Sequence, residues 1–291
     1  MESLLSRRAG ALLELTKPRI TQLVVLTAAA GFYLGAGGVV NPLLLAHALL
    51  GTALVAGGTN ALNQVLEREL DALMDRTRGR PLPSGRLTAR AGAAFGIAIA
   101  VGGVVYLGLA VNVVTAALAT GTLVSYVFLY TPLKRRTPLN TLVGAVPGAL
   151  PIVGGWTAAG GSLDVAALAL FGIVFLWQLP HFLALAWMYR DDYAAAGFRM
   201  FGARDRDAGA TGRWATFFAA ILVPVSLVPG VIGLAGLAYA WGAAALGLVL
   251  LGVAVALAVG RTRLWARRLF NASVIYLPML LALLVVGRAA A

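Results

Sequence analysis

The sequence predicts an all-α, polytopic membrane protein of about nine transmembrane helices, forming a single domain over residues 1–291. Three observations carry this. Hydrophobic residues make up 60% of the chain and charged residues 12%, whereas soluble domains carry about a quarter charged residues. Apolar runs long enough to cross a bilayer, about 20 residues each, recur along the whole length. The basic residues fall in short clusters between those runs. Water therefore cannot be the solvent for most of the surface, and the lipid bilayer is the first expected partner. The net charge of +12 does not make nucleic acid a partner, because the clusters are separated by greasy spans. With no Cys, disulfides and thiolate metal sites are excluded. The 35 Gly suit close helix packing in a membrane.

Residues 1–17 read as a basic, partly amphipathic segment on the membrane surface or as a frayed tail. Ala28-Ala29-Ala30 offers a small-residue cleavage pattern. The apolar run continues past it through Gly31-Phe32-Tyr33-Leu34, as a spanning helix does. The expected spans are 20–37, 42–66, 89–109, 112–130, 138–158, 164–189, 214–234, 237–259 and 269–287. If nine helices alternate, 22 of the 23 basic residues share one face and only Arg288 lies on the other. The positive-inside rule then puts the N-terminus and the charged loops in the cytoplasm and the C-terminus on the outer side of the cell (inner) membrane. Ten of the 11 acidic residues follow the same face, Asp164 excepted. The rule does not account for them.

The principal acidic group is a ladder, Asn63-x3-Glu67-x3-Asp71-x3-Asp75, followed by Arg76, Arg78 and Arg80. Residues four apart share a helix face. Like charges at that spacing repel, more so where screening is reduced. Something cationic belongs between them. Mg²⁺ is the natural choice, since one or two carboxylates plus phosphate oxygens suffice to hold it, and the arginines are placed to grip phosphate directly. A solvated helix end with internal ion pairs is the alternative.

Three further stretches bear on chemistry. Tyr189-Arg190-Asp191-Asp192-Tyr193 closes the sixth span on the same face as the ladder. The pair suggests an internal pseudo-repeat clamping a diphosphate from two sides, against an ordinary helix-end cluster. Trp177-Gln178-Leu179-Pro180-His181-Phe182 lies inside the sixth span, where Pro180 is expected to kink the helix and polar groups face an interior cavity. His181 is suited to metal ligation, proton transfer or a bond to a substrate carboxylate, or is a satisfied structural histidine. Tyr130 to Asn140, with Lys134-Arg135-Arg136 between Pro132 and Pro138, is either a phosphate- or propionate-binding loop or a topology anchor.

The ladder with Arg76-Thr77-x-x-Arg80-Pro81-Leu82 resembles the signature of the UbiA superfamily of intramembrane prenyltransferases. Further stretches resemble one branch, the protoheme IX farnesyltransferases or haem O synthases. These are Thr16-Lys17-Pro18-Arg19, Leu133 to Asn140, Gly148-Ala149-x-Pro151, Trp177 to Ala186, Asp192-Tyr193 with Ala196-Gly197, and Ala266-Arg267-x-Leu269-Phe270-x-x-Ser273. The likeness runs from about residue 16 to 277. There are departures. Glu67 stands where the family has Asp, Phe198-Arg199-Met200-Phe201-Gly202 replaces a proline-rich run, and Ile152 replaces a second proline.

The resemblance implies transfer of farnesyl from farnesyl diphosphate to a vinyl group of haem B, with addition of water, giving haem O and diphosphate. It implies Mg²⁺ and diphosphate held by Asn63, Glu67, Asp71 and Asp75, assisted by Asp191 and Asp192. Asp71, Asp75, Arg76 and Arg80 then form the catalytic set. Arg78, Arg190 and Tyr193 join the substrate-binding residues, His181 contacts the haem, and Lys134 or Arg135 holds a propionate. Hand-over of product to a haem A synthase is the further partner it raises. The alternatives are a related enzyme acting on a quinone precursor or chlorophyllide, and a transporter, which would instead place its acidic residues near the bilayer midplane.

Overall fold

The structure is a computed structural model that describes residues 4–203 and 205–288; Arg204, one of the basic residues assigned above to the charged face, lies outside the described residues, as do positions 1–3. The chain folds as α1 (Leu4–Leu15), α2 (Pro18–Gly35), α3 (Pro42–Asp71), α4 (Ala89–Ala110) and α5 (Val113–Val124). A π-helical stretch, Ser125–Tyr130, and α6 (Thr131–Leu133) prolong α5. Then follow α7 (Asn140–Ala158), α8 (Val165–Met188), α9 (Arg190–Ala195), α10 (Gly209–Val231), α11 (Leu237–Gly260) and α12 (Arg263–Val286).

Among the described residues, eight helices are long and apolar enough to cross a membrane, the fifth-chain segment counting as one span, Val113–Leu133. The protein is thus a multi-pass membrane protein. α2 packs beside α3 and α7 as the ninth long helix; Arg19 and Gln22 make its first turns more polar. Short polar caps set several helix starts. Asn41 accepts from the Leu43 and Leu44 amides just before Pro42, and Thr88, Asn112, Asp164 and Thr262 cap α4, α5, α8 and α12. Each satisfies an otherwise orphaned N–H. Neighbouring helices touch in a circuit α2–α3–α4–α5–α7–α8–α12 that returns to α2, with α10 and α11 packed outside α8 and α12.

Small residues let the circuit close. A Cβ at Gly31 of α2 would run into the Ile152 carbonyl of α7, and one at Gly155 of α7 into the Ala28 carbonyl of α2. The two backbones are in direct contact, the packing mode expected where lipid offers no hydrophobic drive. Ala28 is therefore part of a helix interface.

Several boundaries differ from the sequence reading. α3 continues to Asp71, past the expected end at 66, so Glu67 and Asp71 are helical. α12 starts at Arg263 rather than 269, which puts Arg263, Arg267 and Arg268 in its first turns. Arg268 lies 4.5 Å from the Trp265 ring centroid, a basic head kept at the interface over an apolar stem. α10 starts at Gly209 rather than 214. α1 is a docked helix: Ala11 and Leu15 are buried against Ala61, Leu82 and Leu87. α8 runs through Pro180 to Met188.

Gly155→Val should destabilise the fold by about 1–3 kcal/mol, the usual cost of overpacking, whereas Gly154→Ala, whose added carbon meets nothing within 4 Å, should be neutral. Thermal melting of the two variants in detergent tests the pair, and equal melting temperatures would refute the α2–α7 contact.

Candidate active site at the charged mouth

The inner turns of α3 bury Asn63, Gln64, Glu67 and Asp71. Three of the four ladder residues thus share a helix face, as the spacing predicts. Asp75 does not. The helix ends at Asp71, and the Asp75 carboxylate is 83% exposed, 3.3 Å from Arg78. The four-rung ladder is corrected to three buried rungs plus an exposed Asp75–Arg78 pair. The backbone turns because Thr77 Oγ1 donates to the Asp71 carbonyl at 2.8 Å, which ends the helix there.

Each buried rung has its own partner. Lys17 Nζ donates to Asn63 Oδ1 at 3.0 Å. An ammonium only donates, so Asn63 must turn its Nδ2 to Thr131 Oγ1, 3.1 Å away. Lys134 Nζ sits 2.8 Å from Glu67 Oε1 and 3.0 Å from Oε2. Arg80 donates to Asp71 Oδ2 at 2.7 Å, and the Asp71 side chain is 1% exposed. Side-chain cations therefore stand where charge balance demands them. Among the described residues no group of three or more His, Cys, Asp or Glu is gathered as a metal cage. The donors of Asn63, Glu67 and Asp71 are nevertheless all oxygens in a row, the chemistry of a hard divalent cation that keeps other oxygens in its shell.

The residues that deliver these cations come from three elements. Lys17 links α1 to α2 with a left-handed backbone (φ 49°) before Pro18, a conformation costing a non-glycine residue roughly 1–2 kcal/mol. The π-helical stretch Ser125–Tyr130, a feature frequent at functional sites, precedes Thr131, whose hydroxyl donates to the Tyr126 carbonyl at 2.9 Å. Lys134 follows α6 and lies 4.7 Å from the centroid of Tyr130 and 5.6 Å from that of Phe198. Lys17 and Lys134 are the only two lysines in the chain, against 21 arginines. Both are in this site.

Their charges are tuned in opposite directions. Burial, then the nearby charges of Arg80 and Lys134, press Lys17 down to about 7, with Glu67 and Asp71 opposing. Burial also works against the Lys134 ammonium, but Glu67 with Tyr130 and Tyr126 outweighs it and holds Lys134 above the ordinary lysine range. Lys134 is a fixed cation and Lys17 a titrating one.

The second acidic cluster reaches the same mouth, though not through its carboxylates. Arg76 lies 4.9 Å from the Tyr189 centroid and 5.8 Å from that of Tyr193, whose hydroxyl it contacts at 3.4 Å. Met74, Tyr193, Ala196, Phe198 and Met200 pack into one small core. Asp191, by contrast, is 91% exposed and 3.9 Å from Arg190, which stacks on Trp187 instead. Asp192 is half-buried, and Arg135 and Arg78 are exposed. Beside these carboxylates, Arg76 forms a cap that joins the ends of α3 and α8. The atypical Phe198–Gly202 loop belongs to this cap: the Arg199 amide donates to the Lys134 carbonyl at 2.6 Å, and Asn140 Nδ2 to the Arg199 carbonyl at 2.9 Å.

Deeper in the bundle, a narrow apolar cleft between α2, α3, α5 and α7 is lined by Val24, Val55, Leu118 and Leu150. Val55 precedes Asn63 by eight residues on α3, about 12 Å along the helix. His181 lies on α8, seven residues before its inner end, about 10 Å below the mouth. Its neighbour Gln178 donates to the Ala145 carbonyl and fills the space over Gly148, where an added Cβ would displace the Gln178 amide. Sequence reasoning gave neither Lys17 nor Thr131 a role in the site, though Lys17 stands in the family-like stretch Thr16–Arg19 and is one of only two lysines.

A profile of the UbiA prenyltransferase family matches residues 24–284. The chain is 47% identical over 285 residues to the protoheme IX farnesyltransferase of Solibacter usitatus (strain Ellin6076), covering 95% of this chain and 98% of that protein. A digeranylgeranylglyceryl phosphate synthase has the same fold, with TM-score 0.81 and 16% identity over 96% of this chain and 98% of that one. So has a UbiA homologue from Archaeoglobus fulgidus bound to GPP and Mg²⁺, with TM-score 0.70 and 16% identity over 94% and 99%.

Lys134→Met should cost about 3–5 kcal/mol by leaving a buried carboxylate uncompensated, and Glu67→Gln in the same protein should recover most of it; denaturation of the single and double variants measures this. NMR of the two lysines, labelled at Cε, should show Lys17 titrating near 7. Between about 7 and the ordinary lysine value of 10.5 the native state then binds one proton fewer than the unfolded chain, so this group makes stability rise with pH. A Lys17 titration at 10 or above would refute the assignment.

Proposed function

The chain belongs to the UbiA prenyltransferase family, and from that premise we propose that it transfers the farnesyl group of farnesyl diphosphate to a vinyl group of haem B, with addition of water, to give haem O and diphosphate. The observation that carries the reading is the buried row Asn63–Glu67–Asp71 with Lys17, Lys134 and Arg80 upon it, above an apolar cleft, in a chain 47% identical to a protoheme IX farnesyltransferase.

Diphosphate leaves readily only when its charge is neutralised. Arg80, Lys134 and Lys17 are placed to meet the charge that develops on the leaving oxygens, the largest lever available to such a site. Arg76, in its tyrosine cradle, adds a further cation from the cap. Mg²⁺, the ion bound with GPP in the archaeal homologue, would be held by Asn63, Glu67 and Asp71, with Asp75, Asp191 and Asp192 at the rim, and supplies further neutralisation of the leaving group. The carbon–oxygen bond of farnesyl diphosphate breaks and both electrons leave with diphosphate. The allylic carbon bonds to the terminal vinyl carbon, and water adds to the other vinyl carbon and loses a proton. The apolar cleft keeps stray water from the allylic cation. The Trp177–Phe182 stretch with His181 contacts the porphyrin, and Arg135 holds a propionate. The charged mouth faces the cytoplasm of the cell membrane, the C-terminus faces outward, and a haem A synthase takes the product.

A quinone-precursor or chlorophyllide acceptor would use the same row but has no call on the Trp177–Phe182 stretch. A transporter is disfavoured because the acidic residues sit at helix ends rather than at mid-span.

Membranes containing the protein, given labelled farnesyl diphosphate with haem B or an aromatic acid, should yield a haem carrying a hydroxyethylfarnesyl group and Mg²⁺-dependent diphosphate. Label in the aromatic acid alone would overturn the acceptor. Asn at both Asp71 and Asp75 should lower kcat by about 10²–10³-fold or more; unchanged turnover and Mg²⁺ dependence would overturn the site.

A further inference from the structure

Two sequence stretches 92 residues apart meet in the bundle at one serine. Trp177 Nε1 on α8 donates to the Ser273 carbonyl on α12 at 2.6 Å. His181 Nδ1 lies 2.9 Å from Ser273 Oγ, and the His181 ring stacks on Phe270 with centroids 4.7 Å apart and on Trp177 at 5.4 Å. Phe182 closes a third side at 5.7 Å. Nothing in the diphosphate chemistry of the mouth uses this arrangement.

The hydrogen bonds point to one state of the ring. Ser273 Oγ lies 2.6 Å from the Phe270 carbonyl, which can only accept, and 2.9 Å from His181 Nδ1. With its one proton assigned to the shorter contact, Ser273 Oγ accepts from His181 and Nδ1 carries a proton. In the neutral imidazole the lone pair is then on Nε2. Among the described residues no group bonds Nε2, and it is not among the buried atoms sealed without a partner. The result is a half-buried imidazole locked in rotation by two aromatic stacks, locked in tautomer by a serine, and offering one free nitrogen lone pair inside a membrane bundle. This is how metal-ligating histidines are prepared: the second ring N–H is tied to a fixed acceptor and the first nitrogen is left for the metal.

We infer that His181 Nε2 is an axial ligand to the iron of the metalloporphyrin acceptor, and that Ser273 is the positioning residue that fixes its tautomer. This rests on the haem-acceptor reading above. Coordination would anchor the macrocycle at one height in the bundle, about 10 Å along α8 from the end of that helix at Met188. Serine does this without carrying charge into the span.

The test uses the full-length protein in nanodiscs with ferric haem b as probe and no farnesyl diphosphate. Wild type should give a shifted Soret band and an imidazole-ligated electron spin resonance signal. His181→Ala should lose both, and added imidazole should restore them. Ser273→Ala should weaken haem binding by about 10-fold or more, the usual effect of removing such a partner, while Ser273→Thr keeps it and farnesyl diphosphate binding stays unchanged in all three. The chain has only two histidines, so ¹⁵N-histidine NMR of unmodified protein reads the tautomer directly, with His47→Gln giving the assignment. A protonated Nε2 overturns the inference whether or not the variants fold. Haem bound by wild type with an unaltered spectrum in His181→Ala overturns it while leaving the acceptor reading intact. No haem bound by wild type overturns the acceptor reading itself.

Discussion

The structure depends on one constraint: carboxylates taken out of water at the edge of a bilayer must each be met by a cation. Glu67 and Asp71 lie almost fully buried at the end of α3. Removing an ionised carboxylate from water costs several kcal/mol unless a partner and hydrogen bonds compensate. The partners come from far along the chain, Arg80 from the connection after α3 and Lys134 from the end of the α5 span. The requirement to bring them together fixes how α2, α3, α5 and α7 converge. The cations suited to a diphosphate are thus the ones that neutralise the protein's own acids.

The choice of cation is informative. Arginine supplies nearly all the basic residues at the membrane rim, where a weakly hydrated, permanently charged head suits phosphate-rich interfaces. The two lysines are kept for the interior of the site. A compact ammonium responds to its surroundings as a guanidinium does not, and the two lysines show both directions of response, Lys17 weakened by burial and like charges and Lys134 held charged by Glu67.

Much of this was legible in the sequence because hydrocarbon imposes simple rules. Span length and charge distribution located nine long helices, and the four-residue spacing placed Asn63, Glu67 and Asp71 on one face. The reading failed at Asp75 because spacing assumes an unbroken helix, and Thr77 caps the chain back onto Asp71. Charge alone does not say which way a helix-end side chain turns: Asp191 stays exposed, while the Arg76 guanidinium lies across the rings of Tyr189 and Tyr193. Pairings between distant stretches, such as Lys17 with Asn63 or His181 with Ser273, have no local signal. Periodicity reports which face a residue occupies, and only the packed bundle reports what that face meets.

The π-helical stretch Ser125–Tyr130 makes the protein unequally tolerant of changes in chain length. An α-helix turns about 100° per residue, and a wide turn absorbs part of a turn's worth of extra chain. Losing one residue there would swing Thr131 and Lys134 round the helix axis, away from Asn63 and Glu67, with every later turn of that span still intact. The connections at the opposite face, Gly37–Asn41 and Gly160–Leu163, bear no such phase relation to the charged row. Insertions and deletions in descendants of this sequence should accumulate in those connections and be purged from the π-helical stretch that follows α5, even though that span is mostly exposed on the bundle's outside.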